Sequence, residues 1–381
     1  MKSAVTASRP APAPTLGAID ALRGIAIVAV VGVHVTFGFL RAAPTGSPAM
    51  WQALTLHMLT TFATPLFVAL SLASLALGYP RPLGLGGEYA TFLARRARRI
   101  LPAYVVWTML ALVRSEPAAL GDGGRLTHHL LRGSAAYHLY FVPLIVTYYL
   151  LWPLFSRLAV STRRDARMAG AIALAGLGVS VATWKTLPPG SITAPLFWLG
   201  YATVGLAAAP WLSHVPAFRW RRTLLAASFG SATIAAVVMV RRVMALLGPM
   251  PDPVSLTLAT VVFQVPVLAY ALAVMALVTI TVGLLANAGG LKALRDLGRR
   301  SYGVYLAHVL VLEVVVQRLL GRPASADFGT GTWVVTLAAT WALCLALTWA
   351  LIAGLARVPG LAVVAGERPS DHALTAAPPS P

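Results

Sequence analysis

Residues 24–40 read GIAIVAVVGVHVTFGFL, an apolar run that begins directly after Arg23 and contains one histidine, His34. An α-helix rises about 1.5 Å per residue and the hydrocarbon core of a bilayer is about 30 Å thick, so about 20 apolar residues cross a membrane. The run has nearly that length and therefore predicts a membrane-spanning helix. Further apolar runs recur along most of the chain.

The composition of the whole chain agrees with this interpretation. Of its 381 residues, 58% are hydrophobic and only 11% are charged, whereas a soluble domain is about a quarter charged and under half apolar. These values exclude an ordinary soluble enzyme and a disordered regulator. The sequence predicts an all-α, polytopic integral membrane protein.

The apolar segments predict about ten transmembrane helices in one membrane domain, residues 16–360. The eighth is long enough to tilt or to break at Pro266. The proline-rich ends, residues 1–15 and 361–381, are predicted to be flexible tails. The ten predicted spans are 19–40, 53–78, 99–113, 137–157, 168–184, 191–212, 223–240, 256–286, 301–320 and 332–356.

Positive charge predicts the orientation and the location. The chain has 30 Lys+Arg against 11 Asp+Glu, and alternate inter-span segments hold 21 and 9 of the basic residues. Cytoplasmic loops carry such an excess, so both termini are predicted to be cytoplasmic and the protein to be a multi-pass protein of the cell (cytoplasmic) membrane. The same rule accounts for the net charge of +19 with no nucleic-acid partner. The single cysteine, Cys344, excludes a disulfide framework and a cysteine-based metal site.

His34 is the strongest catalytic candidate. It lies eleven residues after Arg23, about 16 Å along the helix and near the middle of the bilayer core. Ionisable residues inside a membrane span are costly and usually functional. A neutral imidazole there can take a proton as a general base. From the residue alone, a histidine hydrogen-bonded within the helix bundle is an equally good interpretation.

Arginines supply candidate anion sites. Arg95/Arg98 and Arg96/Arg99 are i,i+3 pairs on one side of a helical turn, and guanidinium groups bind phosphate oxygens through two parallel hydrogen bonds. The alternative is that they only obey the positive-inside rule. At the start of the first span Asp20 and Arg23 are also spaced i,i+3, which predicts an ion pair.

Two later segments carry further polar residues. Ser301, Tyr305 and His308 form one stripe of the ninth span, with His308 about 10 Å inside the cytoplasmic edge; they could orient an active site or only bond within the core. Glu313, on another face, is predicted to be a structural partner for a buried arginine or hydroxyl. His138 is predicted at the extracytoplasmic end of the fourth span, in an aromatic belt or in contact with a substrate.

Four blocks in order resemble the acyltransferase-3 family, the integral-membrane acyl-CoA-dependent O-acyltransferases. The first is D-x-x-R-G with an Arg–x10–His spacing, matched by Asp20, Arg23, Gly24 and His34. The others are RRARRILPAY at 95–104, YHLYF at 137–141 and LGRRSYGVYLAH at 297–308. One departure is the second span, where FVALSL at 67–72 lacks the glycine of the family's F-x-x-S-G signature.

The resemblance implies an enzyme that uses acyl-CoA, most commonly acetyl-CoA, as donor substrate, with no permanently bound cofactor and no metal. The acceptor would be a cell-envelope glycan, a lipid-linked sugar or a small molecule, with the bilayer as the remaining partner. It implies that His34 is catalytic and that Arg23 and the arginines at 95–99 bind the CoA phosphates. Asp20, Ser301, Tyr305 and His308 would support the site. A histidine-dependent N-acetyltransferase acting on an amino sugar, and a non-enzymatic glycan or lipid transporter, remain alternatives.

Overall fold

A computed structural model describes residues 13–44, 46–186, 193–212, 221–246, 253–285, 291–315, 330–358 and 360–367. Within these ranges the regular secondary structure is entirely helical, as predicted. The helices are α1 (Ala13–Ala42), α2 (Pro48–Thr60), α3 (Ala63–Gly78), α4 (Gly87–Ser115), α5 (Gly123–Arg132), α6 (Phe141–Leu150), α7 (Trp152–Arg164), α8 (Ala166–Thr186), α9 (Leu199–Ala208), α10 (Arg221–Leu246), α11 (Pro253–Leu284), α12 (Lys292–Arg299), α13 (Ser301–Val314) and α14 (Thr330–Arg357).

Several of these helices are long and apolar enough to cross a membrane. Within the described part of the chain there are six candidate spans, or up to seven if the bent pair α6 and α7 counts as one. The protein is therefore a polytopic membrane protein. The count of ten spans and the cytoplasmic position of both termini stay predictions. The six candidates are Gly17–Ala42, Pro48–Gly78, Ala166–Trp184, Arg222–Arg241, Pro266–Leu284 and Thr332–Arg357.

Two predicted spans contain a sharp bend or a 3₁₀ turn. The segment 137–157 holds α6 and the first part of α7, which meet at Leu151 with a bend of 73°. Pro153 lies in the first turn of α7, and because proline has no backbone N–H it starts a helix more readily than it continues one. The segment 191–212, where described, contains a 3₁₀ turn at Pro195–Trp198 before the ten-residue helix α9.

In α11 and α4, by contrast, a proline lies inside a continuous helix. The sequence suggested that the eighth span could break at Pro266, but α11 is helical on both sides of that residue. Pro102 is likewise inside α4, whose 29 residues extend well beyond the short span predicted for 99–113. Proline removes one intrahelical hydrogen bond, and both helices continue through it.

The described residues fall into two compact units. One comprises the described parts of Met1–Arg23, Pro65–Thr91 and Thr147–Arg295, and the other those of Gly24–Thr64, Phe92–Val146 and Asp296–Pro381. In the first unit, α8 and α9 pack closely through Ser180. Its hydroxyl accepts the backbone N–H of Gly200 at 2.8 Å and donates to the carbonyl oxygen of Leu196 at 3.2 Å.

The second unit has an apolar core that joins α1, α2, α13 and α14. Trp341 of α14 donates its indole N–H to the carbonyl oxygen of Val28 at 2.9 Å, and its ring covers Gly32. A Cβ atom at Gly32 would lie 2.1 Å from that ring, so only glycine permits this approach of α1 to α14. The buried core residues are Val31, Val35, Phe39, Ala53, Leu312, Trp333, Leu337 and Cys344.

Residues 361–367, which lie in the predicted C-terminal tail, make contacts within the second unit. Ala362 and Ala365 are buried, and the indole N–H of Trp107 donates to the carbonyl oxygen of Val364 at 3.0 Å. The Arg300 guanidinium also pairs with the Glu367 carboxylate. Residues 361–367 are therefore packed, because small side chains and backbone carbonyls there meet α4 and α13. The predicted tails otherwise fall on residues 1–12 and 368–381, which lie outside the described residues, and on the first turn of α1.

Candidate active site

Three histidines distant in sequence come together in the second unit. The ring centroid of His34 on α1 lies 5.0 Å from that of His308 on α13 and 6.1 Å from that of His138. The centroids of His138 and His308 are 5.0 Å apart. We call His34, His138 and His308 the histidine cluster. Three imidazoles in contact inside an apolar bundle are costly to bury, which marks this place as the candidate active site.

His308 has a defined tautomer. Its Nδ1 lies 2.6 Å from the carbonyl oxygen of Tyr305 in the same helix. Because a carbonyl oxygen only accepts, we assign the imidazole hydrogen to Nδ1. The opposite nitrogen, Nε2, is buried and has no hydrogen-bond partner among the described residues. A neutral His308 therefore directs a bare lone pair into the protein interior, and an unmade bond of this kind costs about 1–3 kcal/mol.

His138 is carried by a tight turn between α5 and α6. Gly133 caps α5 in the left-handed conformation, with φ of 67°, and the chain then folds back on it. A Cβ atom at Gly133 would lie 2.6 Å from the carbonyl oxygen of Leu139 and from the backbone of Tyr140. Only glycine both adopts this φ without strain and leaves room for the returning turn. The glycine thereby sets the position of His138.

Helix α13 holds this turn from the other side. The hydroxyl of Tyr305 donates to the carbonyl oxygen of His138. The imidazole Nε2 of His138 donates to the carbonyl oxygen of Leu306 at 3.4 Å, which leaves Nδ1 as the acceptor. Nδ1 of His138 is also buried and has no partner among the described residues. One turn of α13 thus orients two imidazoles and leaves a lone pair on each.

His34 differs from the other two members of the histidine cluster. Its side chain is partly exposed, whereas His138 and His308 are buried. Its ring contacts that of Tyr137 at 4.9 Å between centroids, and Tyr137 is itself 54% exposed. His34 is therefore the most exposed member of the histidine cluster.

The predicted basic residues lie on two helices. Arg23 on α1 contacts Asp20 at 3.6 Å, as an ion pair, and donates to the hydroxyl of Ser74 at 2.9 Å. The other four are on α4, where Arg96 lies over the ring of Phe92 at 5.6 Å from its centroid. Of these four arginines, the exposed ones are Arg95, Arg98 and Arg99.

A model of the acyltransferase domain of the acyltransferase-3 family matches residues 16–355, which is most of the chain. The chain belongs to this family. The predicted family membership is thereby confirmed, and the protein is a membrane-bound acyltransferase. Comparison with curated proteins gave no match, and neither did comparison with solved structures.

Several predicted positions in this acyltransferase can be compared with the structure. Glu313 contacts Arg114 at 2.6 Å between Oε2 and Nε; this arginine is exposed, whereas the sequence predicted a buried arginine or a hydroxyl as the partner. Tyr305 and His308 lie together beside His138, and Ser301 is buried one turn before Tyr305. In the part of the acyltransferase that the structure describes, no group of three or more His, Cys, Asp or Glu side chains could hold a metal ion.

The structure brings His138 and His308 together, with ring centroids 5.0 Å apart, although the sequence placed His138 at the extracytoplasmic end of one predicted span and His308 in the cytoplasmic half of another. They meet because α6 begins only at Phe141 and the turn before it, residues 133–140, folds against α13. Counting residues along a straight span cannot anticipate this turn. The signal for His138 was nevertheless present, since it lies within the family-like block YHLYF at 137–141.

Proposed function

We propose that this acyltransferase moves an acetyl group from acetyl-CoA to a hydroxyl of a cell-envelope glycan, a lipid-linked sugar or a small molecule. The observation that carries the proposal is the histidine cluster in a chain of this family. Its one partly exposed member, His34, is also the histidine that matches the family's Arg–x10–His spacing. No other described histidine combines access from outside with a second imidazole at 5.0 Å.

In this proposal His34 is the general base. Its neutral ring nitrogen takes the proton of the acceptor hydroxyl while the oxygen attacks the carbonyl carbon of the thioester. The carbon–sulfur bond then breaks and the ester forms. The imidazolium returns the proton to the departing sulfur, so that coenzyme A leaves as the thiol and His34 is neutral again. The step needs no oxidant and no resident cofactor.

The arginines of α4 are proposed to bind the donor. Coenzyme A carries a pyrophosphate and a 3′-phosphate, and guanidinium groups suit these oxygens because they can donate two parallel hydrogen bonds. Arg95 and Arg98 are exposed and have no ion-pair partner in the described ranges. Arg96 and Arg99 complete the second i,i+3 pair, and Arg23 is proposed as a further phosphate ligand. Ser301 and Asp20 are proposed to support the site.

The test is acyl transfer by the purified protein in liposomes. We expect labelled acetyl-CoA to yield free coenzyme A thiol and an acetylated product only when a hydroxyl acceptor is present. The acceptor is sought by mass spectrometry of envelope glycans and small metabolites from cells with and without the protein. A product that resists mild alkali would be an amide and would identify an N-acetyltransferase. Saturable binding of a glycan or lipid, with no release of thiol, would identify a transporter.

The predicted orientation is tested independently. Reporter fusions after residues 41–50 and 115–135 should report the extracytoplasmic side, and fusions at 82–92 and after 360 the cytoplasm. The physical reason is the 21-to-9 division of Lys and Arg between the two sides. A fusion after residue 360 that reports the outside would reverse the proposed side of donor entry.

A further inference from the structure

The proposed role of His34 as general base does not explain why a second imidazole, that of His308, is buried beside it. His308 is completely buried, its Nδ1–H is used by the carbonyl oxygen of Tyr305, and its Nε2 has no partner among the described residues. Buried polar atoms in native proteins almost always have a partner, and an exception requires an explanation. A lone pair held in a fixed direction beside the proposed general base can accept a hydrogen bond from it and so fix its orientation.

His34 is the neighbouring imidazole that could supply the missing donor. The two ring centroids are 5.0 Å apart and the ring planes are tilted by 35°. The structure records no hydrogen bond between the two rings, but at this separation a rotation of the His34 ring that points its N–H at Nε2 of His308 closes an N–H···N hydrogen bond of about 2.8 Å. The ring of His138 is equally close to that of His308, at 5.0 Å between centroids, but its one N–H is donated to the carbonyl oxygen of Leu306, so it has none left for His308.

We propose that His308 is a positioning residue for His34, a role that rests on the proposed function. When the His34 ring rotates toward His308, Nε2 of His308 accepts its N–H, and the other nitrogen of His34, with its lone pair, then faces the acceptor hydroxyl. The carbonyl oxygen of Tyr305 holds His308 in the tautomer that this requires. His308 neither gains nor loses a proton in the reaction. The proton passes from the hydroxyl to His34 and from His34 to the sulfur of coenzyme A.

This arrangement assigns different tasks to the two nitrogens of His308. In a purely structural role only Nδ1 matters, because it bonds to the helix backbone. In the positioning role Nε2 matters, because it accepts from His34. The side-chain amide of asparagine reaches the place of Nδ1, whereas the longer glutamine reaches the place of Nε2. The pair His308→Asn and His308→Gln therefore separates the two roles.

The experiment measures acetyl transfer by both variants in liposomes, with the amount of inserted protein determined by quantitative immunoblot. His308→Asn should lower kcat by about 10²-fold, the size of effect that misorientation of a catalytic group produces. His308→Gln should retain kcat within about tenfold of wild type, since it keeps an acceptor near His34. The KM for acetyl-CoA should be unchanged in both, because neither touches the phosphates. If His308→Asn is as active as His308→Gln or more so, the proposal is wrong.

His57→Asn is the matched control. Nδ1 of His57 lies 3.1 Å from the carbonyl oxygen of Val33, so this histidine also bonds to a backbone carbonyl, but it is not a member of the histidine cluster. We expect its kcat to stay near the wild-type value. A loss as large as that of His308→Asn would mean that any histidine-to-asparagine change near α1 disturbs the site, and would overturn the assignment.

A second measurement covers the case in which the His308 variants fail to insert. Nitrogen-15 NMR of wild-type protein labelled at histidine should show Nε2 of His308 unprotonated and accepting a hydrogen bond, and this signal should change in His34→Ala. A hydrogen on Nε2 would contradict the proposal. Failure of the proposed function is separate, because it is detected as acetyl transfer that persists in His34→Ala, whatever the His308 variants do.

Discussion

Replacement of His34 with alanine should abolish acyl transfer, with a decrease in kcat of about 10²–10⁴-fold, the contribution expected of a general base. The reason is that no other member of the histidine cluster is open to an external acceptor, since His138 and His308 are buried. Binding of acetyl-CoA and membrane insertion should change little, because the phosphates are proposed to be held by arginines. The measurement is release of coenzyme A thiol by the purified variant in liposomes.

His34→Gln sharpens this prediction. Glutamine keeps a hydrogen-bonding group at a similar distance from the backbone, but its amide does not accept a proton at neutral pH. The variant should therefore be nearly as inactive as His34→Ala. His57→Ala serves as the control, because His57 packs against the same helix, with its ring 5.9 Å from that of Phe37. If His34→Gln retains most of the activity, His34 is structural, and His308 becomes the first candidate for the base.

Loss of the arginine pairs of α4 should have the next largest effect. The double variants Arg95→Gln/Arg98→Gln and Arg96→Gln/Arg99→Gln should each raise the KM for acetyl-CoA by about 10- to 150-fold. This corresponds to the loss of at least one hydrogen bond to a charged group, about 1.5–3 kcal/mol. Turnover at saturating donor should change less, because the histidine cluster is untouched. Initial rates over a range of acetyl-CoA concentrations give both parameters.

A control variant tests whether loss of two positive charges elsewhere has the same effect on the KM. Arg164 ends α7 and Arg167 lies at the start of α8; both are exposed in a segment predicted to be cytoplasmic, and they lie outside the family-like blocks. Arg164→Gln/Arg167→Gln removes the same charge and should leave the KM unchanged. An unchanged donor dependence in both α4 double variants, with normal insertion, would reduce those arginines to a signal for membrane orientation.

Much of the fold could be predicted because it depends on the short-range chemistry of the chain. The run from Gly24 to Leu40 must be helical in a bilayer, where each unpaired backbone group costs several kcal/mol, and α1 does extend from Ala13 to Ala42. The same reasoning predicted α14 to within two residues at its start and one at its end. The ion pair of Asp20 with Arg23 is equally local, since the two residues are one helical turn apart.

The sequence by itself determined that this protein is a helical membrane acyltransferase, and it singled out His34 on the first predicted span. Apolar length, charge distribution and motif spacing are properties of contiguous residues, so they can be read without knowledge of the packing. Only the tertiary structure decided that His138 and His308 lie beside His34, and which nitrogen of each buried ring is bare. These facts depend on a turn that folds back at Gly133 and on carbonyl oxygens of α13. Contacts between residues more than a hundred positions apart follow from how the helices pack, which residue spacing does not encode.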